Sequence, residues 1–137
     1  MKLKIINNKE YIFDPVRKKY VLNQPEEWVR QNTIQFLNLK KGYPISLMSI
    51  EKKMSLNKLT KRCDIICYNS TGKALLLVEC KAPKVKLKTN DLNQSINYQK
   101  TINAQNILIT NGKTHYCFSL SKGQPKFINE IPEYNNK

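Results

Sequence analysis

The stretch that decides the fold is 74–83, "ALLLVECKAP", in which a run of apolar residues ends in two charged ones. Leu75 to Val78 predict the middle of a buried strand, and Pro83 ends that strand. Side chains alternate across a strand, so Glu79 and Lys81 share one face. Because a buried charge is costly unless it is paired or bound to a metal ion, these two residues predict a functional site at the end of the strand.

A second carboxylate is expected opposite Glu79. The preceding stretch, 61–69, reads "KRCDIICYN" and predicts another strand, and 69–72 predicts the turn between the two strands. In such a hairpin Asp64 and Glu79 lie at comparable distances from the turn and meet at one sheet surface. Neighbouring carboxylates repel each other unless a proton or a cation lies between them, and a hard divalent cation takes oxygen ligands of this kind. We therefore expect Asp64 and Glu79 to hold Mg²⁺, or Mn²⁺ in its place.

The rest of the chain predicts an α/β (α+β) fold with a central mixed β-sheet flanked by helices. Acids in the first turn and apolar spacing predict a first helix from Pro25 to Leu39, and Asn90 is the expected cap of a second helix. The predicted order is helix, three strands, helix, two strands. We expect a single domain, 1–137, with a polar N-terminal lead-in, 1–24, that wraps the body.

Composition narrows the class of partner. The 137 residues carry 24 Lys and Arg against 10 Asp and Glu, a net charge of +14, which favours a protein that meets nucleic acid over one that meets an anionic membrane. A compositional bias toward lysine is the alternative explanation.

No segment approaches the roughly 20 apolar residues that span a bilayer, and the first apolar run breaks at Asn7, so we expect a cytoplasmic protein. Four cysteines without a CxxC pair, and a single histidine, favour reduced, buried thiols over a zinc site.

Two carboxylates and a lysine on a basic protein are typical of metal-assisted phosphodiester cleavage. The ion would activate water, and Lys81 would orient or deprotonate that water or hold the phosphate. The alternative is structural: Glu79 and Lys81 form an ion pair at a strand end, and Asp64 is a turn residue.

The spaced motifs together resemble those of a known family. The chain resembles the PD-(D/E)XK nucleases, specifically the N-terminal nuclease domain of type I restriction enzyme R subunits in a short, free-standing form. The motifs that carry this resemblance are "DPVRKKYVLNQPEEWVRQ" (14–31), "KRCDIICYNSTGKALLLVECKAP" (61–83), "QSINY" (94–98) and "ILITNGKTHYCF" (107–118). The resemblance implies a restriction-endonuclease-like core. One departure is Cys63, which stands where the family motif has proline.

The resemblance also implies roles for individual residues. Asp64, Glu79 and Lys81 would be catalytic, and the metal ligands would be Asp64, Glu79 and the Cys80 carbonyl. Glu27 looks like the first-helix acid that many such nucleases turn toward the metal, although it could instead only complement the helix dipole. Glu51 is a second candidate for that extra acid.

The expected nucleic-acid contacts surround this site. Gln94 and Tyr98 correspond to the Q-x-x-x-Y element and share a helix face. Arg62 and Lys84 flank the acidic residues in the sequence, and the lysines from Lys84 to Lys88 line the expected path of the backbone, unless they form only a solvated loop.

Two functions remain open. The first is a metal-dependent nuclease that hydrolyses DNA in restriction, defence or DNA processing. The second is a catalytically silent nucleic-acid-binding or assembly module of a larger restriction-type complex. No motor motif is present in the sequence, so we expect the chain to act as a homodimer or with a motor or recognition partner.

Overall fold

A computed structural model describes residues 1–56, 59–120 and 124–136. Within these ranges the side chains of 51–56, 59–63, 98 and 100 are not described. The sequence-based expectations for the side chains of Glu51, Arg62, Cys63 and Tyr98 therefore lie outside the described residues.

The described residues form two β-sheets and two α-helices. The elements in chain order are β1 (Leu3–Ile6), β2 (Lys9–Asp14), β3 (Lys19–Leu22), α1 (Pro25–Lys41), a 3-10 turn (Ile45–Leu47), β4 (Met48–Leu56), β5 (Leu59–Tyr68), β6 (Ala74–Cys80), α2 (Thr89–Ile102), β7 (Asn106–Thr110), β8 (His115–Ser119) and β9 (Lys126–Ile128). Among the described helices, neither is both long and apolar enough to cross a lipid bilayer.

The larger sheet is mixed, as the sequence predicts. Its strand order is β4-β5-β6-β7-β8-β9, and β6 pairs parallel with β7 while the other neighbours pair antiparallel. Every residue of β6 is buried, which explains its continuous apolar run. Residues of α1 pack with Leu76 and Val78 on one face, and residues of α2 pack with Leu77 and Ile107 on the other. The helices therefore flank the sheet, and the fold is α+β.

A tight turn sets the register of β5 against β6. The Asn69 side-chain Oδ1 accepts hydrogen bonds from the backbone N–H groups of Thr71 and Lys73 and from the Thr71 hydroxyl, at 2.8–3.0 Å. Gly72 has φ +88, a conformation that favours glycine. The turn fits the expected segment 69–72, and in the resulting ladder Ile65 pairs with Val78 and Ile66 with Leu77.

The N-terminal lead-in is more ordered than a wrapping segment. It forms a separate antiparallel sheet of β1, β2 and β3, in which β2 buries Ile12 and Asp14. The predicted element order, which began with the first helix, left out these three strands. Short strands joined by tight turns, such as Asn7 and Asn8 with positive φ, carry little periodic signal, which explains why the sequence analysis missed them.

Other boundaries also differ from the sequence expectation. Helix α1 continues to Lys41, and the left-handed conformation of Gly42 (φ +79) ends it there. Helix α2 is capped at Lys88, whose backbone N–H donates to the Asp91 carboxylate at 2.7 Å, so Asn90 is not the cap. Trp28 is 40% exposed and does not join the core.

The turn after β7 yields a stability prediction. Gly72 and Gly112 both have positive φ, but an added Cβ meets open space at Gly72 and lies 3.3 Å from the Val29 Cγ2 at Gly112. We expect Gly72→Ala to lower the free energy of unfolding by about 1 kcal/mol from backbone strain alone. Gly112→Ala should cost more, because the Val29 side chain is buried and must move. Urea unfolding of both variants measures the difference, and equal losses would contradict it.

Candidate active site

The β5–β6 register brings the two predicted acids together. The ladder pairs Ile65 with Val78, and one step further along it are Asp64 and Glu79. Their charges interact: burial raises the pKa of Glu79, and the Asp64 carboxylate raises it further. Two neighbouring antiparallel strands thus present one carboxylate each at the same end of the sheet.

The Asp64 carboxylate is held by hydrogen bonds to both of its oxygens. Arg30 Nη2 donates to Oδ1 at 2.8 Å, and the backbone N–H of Cys80 donates to Oδ2 at 2.8 Å. Burial lowers the pKa of Arg30, but Asp64 and Glu27 outweigh that effect and raise it, so the guanidinium stays charged. Asp64 therefore joins α1, β5 and β6 at one point.

The Glu79 carboxylate has different partners from those of Asp64. The fully buried Ser95 of α2 donates its hydroxyl to Oε2 at 2.5 Å, and Lys81 Nζ lies 3.3 Å from Oε1. The pKa of Glu79 is nevertheless raised, because burial outweighs both contacts. The folded protein therefore stabilises the charged form of Glu79 less than water does.

Lys81 lies among carboxylates. Its Nζ is 3.3 Å from Glu79 and 3.8 Å from Asp91 of α2. Burial lowers the pKa of Lys81, yet the charges of Glu79, Asp91 and Asp64 together raise it above the ordinary value. The raised pKa favours the ammonium form of Lys81, which is a cation and a hydrogen-bond donor.

The two acids at the start of α1 have different surroundings. Glu27 is buried among donors: its Oε1 accepts from Arg17 at 2.9 Å and from Arg30 at 2.7 Å, and its Oε2 accepts from Gln31 at 3.1 Å. Burial raises the pKa of Glu26, and the next contribution comes from Asp64. Glu26 thus interacts with Asp64, and the expected role of Glu27 at a metal ion stays a prediction.

The expected nucleic-acid contacts are only partly visible. Lys84 is exposed on the segment 81–88 between β6 and α2, and Gln94 is half-buried in α2. Asn111 Nδ2 donates to the Val85 carbonyl at 2.8 Å and fixes this segment beside the site. The side chains of Tyr98 and Arg62 lie outside the described residues, so their roles stay predictions.

The sequence analysis missed Arg30, Glu26 and Ser95, which interact with the acidic pair, and Asp91, which contacts Lys81. Arg30 and Glu26 are four apart on α1, and Ser95 and Asp91 are four apart on α2, so each pair shares one helix face. This spacing was the available signal. The spacing alone could not identify these residues, because packing decides which face of each helix contacts the sheet.

The site suits a small oxygen-ligated ion that keeps part of its water shell. Among the described residues, no group of three or more His, Cys, Asp or Glu side chains is placed to hold a metal ion. Magnesium commonly binds through one or two carboxylates and several waters, so Asp64 and Glu79 are a sufficient pair. The described thiols of Cys67, Cys80 and Cys117 are free and buried, as expected.

Comparisons with known proteins indicate the family and the fold of the chain. A model of the family described as type I restriction enzyme R protein N terminus matches residues 25–132. The chain superposes on a fragment described as an HsdR subunit of a type I restriction enzyme from Vibrio vulnificus YJ016, with a TM-score of 0.57 and 13% identity. The match covers 73% of this chain but only 22% of that one, and it shows a shared fold.

A second solved structure is described as a nuclease belonging to DUF820 from Anabaena variabilis ATCC 29413. Its TM-score is 0.49 at 11% identity, and the match covers 93% of this chain and 76% of that one. No curated protein matches the chain.

The unequal support of the two acids predicts opposite stability effects of isosteric substitutions in metal-free protein. The raised pKa of Glu79 means that the folded protein binds more protons than the unfolded chain above the ordinary value of 4.5. The contribution of Glu79 to stability therefore falls as pH rises through that window. We expect Glu79→Gln to stabilise the protein at pH 8, with the gain shrinking as pH falls toward 4.5.

Asp64→Asn should instead destabilise by about 2 kcal/mol, because the buried Arg30 loses a charged partner and an amide replaces the acceptor of the Cys80 N–H. Thermal unfolding with EDTA across pH measures both variants. Equal shifts of the same sign would contradict this asymmetry.

Proposed function

Because the chain belongs to the family of type I restriction enzyme R protein N termini, we propose that it hydrolyses DNA phosphodiester bonds with the help of bound Mg²⁺. The family makes it a restriction-type nuclease-like domain. Mg²⁺ dependence, DNA as the substrate and turnover are the proposed part. The chain covers only 22% of the HsdR fragment that it resembles, so the activity of that larger protein is not transferred as a whole.

The observation that carries the proposal is the proximity of Asp64 and Glu79, which flank the paired residues Ile65 and Val78, together with the contact of Lys81 with Glu79. Two adjacent carboxylates at the open end of a sheet repel each other, which favours a divalent cation between them. A cation bound there would lower the pKa of a bound water and would place positive charge near a phosphate. A purely structural ion pair would need only one of the two acids.

The residues of the chain have distinct proposed roles. Asp64 and Glu79 hold the ion, together with the Cys80 carbonyl that the family resemblance implies. Arg30 and Ser95 orient the two carboxylates, and Lys81, protonated between Glu79 and Asp91, donates to a phosphate oxygen or to the attacking water. We assign to Glu26, rather than Glu27, the role of the additional first-helix acid, because Glu26 interacts with Asp64.

The proposed DNA path follows the basic segment beside the site. Lys84, Lys86 and Lys88 are exposed there and can contact backbone phosphates. Gln94, Tyr98 and Arg62 are retained as proposed contacts. We further propose that recognition or motor functions come from a partner, as in a multi-subunit restriction complex, or from a homodimer.

A catalytically silent binding module is the second candidate. It is favoured by the engagement of both Asp64 oxygens with Arg30 and the Cys80 N–H, an arrangement that also suits a purely structural carboxylate. Metal binding and cleavage separate the two candidates.

Single substitutions at the site should separate metal binding from cleavage. Lys81→Met leaves both carboxylates, so Mg²⁺ should still bind while the cleavage rate falls roughly 100- to 1,000-fold, as for the loss of one transition-state donor. Glu79→Gln should lose the ion and cleavage together. Calorimetry with Mg²⁺ and nicking of supercoiled plasmid measure both properties.

Lys40→Met, exposed at the far end of α1, is the control and should behave as wild type. Wild type without Mg²⁺ binding or cleavage on duplex, single-stranded DNA or RNA would leave the binding module.

Binding to duplex DNA should weaken steeply with salt if the net charge of +14 contacts phosphates. Each contact releases counterions, so log K should fall by about 0.9 per contact for each tenfold rise in salt. Lys84→Met should reduce this slope by about one contact, whereas Lys40→Met should not. Fluorescence anisotropy in Ca²⁺ or EDTA measures the slope without cleavage. An affinity that does not change with salt would support the compositional explanation of the lysines.

A further inference from the structure

A line of alternating charges runs from the N-terminal sheet to the acidic pair. Asp14, at the end of β2, accepts a hydrogen bond from Arg17 Nε, and Arg17 Nη2 donates to Glu27 at 2.9 Å. Arg30 then donates to Glu27 through Nη1 at 2.7 Å and to Asp64 through Nη2 at 2.8 Å. The line thus spans both sheets through the first turns of α1.

Burial makes each member of this line depend on its neighbours. The Asp14 side chain is fully buried, and those of Glu27 and Arg30 are 10% and 7% exposed. A buried charge that loses its partner is strongly unfavourable, so these groups keep one arrangement. Arg17 is the most accessible member of the line, with 21% of its side chain exposed.

The guanidinium groups can transmit position because they are rigid and planar. Arg30 uses two nitrogens of one fork for Glu27 and Asp64, so a shift of Glu27 turns the nitrogen that holds Asp64. Arg17 fixes Glu27 in the same way from Asp14. Asp14 and Arg17 lie outside the residues 25–132 that match the family, in a sheet that is otherwise separate from the site.

We propose that Arg17 is a positioning residue for the metal site, which acts on Asp64 through Glu27 and Arg30. This inference rests on the proposed function, since it assumes that Asp64 binds Mg²⁺. It gives the N-terminal sheet a role in the site: the sheet carries the anchor that keeps the Asp64 carboxylate oriented.

The sign of one substitution tests the inference. Arg17→Met removes a cation near the site, so electrostatics alone predicts equal or tighter Mg²⁺ binding. Loss of positioning predicts the opposite, a rise in the dissociation constant on the order of 10-fold, as for groups that orient metal ligands. Calorimetric titration of folded protein well below its melting temperature gives the constant. Lys9→Met, an exposed residue of β2, is the charge-matched control and should leave Mg²⁺ affinity unchanged.

A double-substitution cycle separates positioning from general loosening of the fold. If Arg17 acts through Arg30, Arg17→Met should weaken Mg²⁺ binding no further in an Arg30→Met background, whereas independent effects would add. Should Arg17→Met not fold, Arg17→Lys retains the charge but not the fork, and it should also bind Mg²⁺ more weakly than wild type.

The outcomes distinguish this inference from the proposed function. Wild-type Mg²⁺ affinity in the folded Arg17 variant, or additive losses in the cycle, would overturn the role of Arg17 and leave the nuclease proposal intact. A wild-type protein that binds no Mg²⁺ would overturn both.

Discussion

The site depends on the register between β5 and β6. The Asn69 side chain and the left-handed Gly72 fix the turn, and beyond a register shift at Cys67 and Tyr68 the ladder pairs Ile65 with Val78, the neighbours of Asp64 and Glu79. A slip of one residue would move the side chains of one strand to the other face of the sheet, and would separate the two carboxylates. The buried strand β6 opposes such a slip, because its residues pack on both faces.

The two carboxylates that this register brings together are stabilised to different degrees. Asp64 has a guanidinium and a backbone N–H, one on each oxygen, whereas the hydroxyl of Ser95 and the ammonium of Lys81 do not compensate the burial of Glu79. A site that binds a divalent cation needs one acid in a fixed position and enough uncompensated negative charge to attract the ion. In the proposed metal site, Asp64 would supply the acid in a fixed position and Glu79 the uncompensated charge. The two acids are therefore not equivalent, although their charges repel each other.

The two helices supply the side chains that contact the acids and Lys81. Helix α1 supplies Arg30, which contacts Asp64, while α2 supplies Ser95 and Asp91, which contact Glu79 and Lys81. The basic segment 81–88 connects β6 to α2, and a hydrogen bond from Asn111 holds it in place. A proposed phosphate contact at Lys84 would therefore lie on a segment that begins at the proposed donor Lys81.

The sequence by itself determined the central sheet, its two helices and the candidate acids. The apolar run Leu75–Val78, the Asn69–Gly72 turn and the charges at Glu79 and Lys81 are local signals, and burial and turn chemistry act on them directly. Only the tertiary structure decided which neighbours each acid has. Glu26 and Glu27 are adjacent and chemically identical, yet a rotation of about 100° around α1 directs one toward Asp64 and the other toward Arg17. That rotation is set by how α1 packs on the sheet, and the contacts of Arg30, Ser95 and Arg17 are fixed in the same way, because they join residues far apart in the chain.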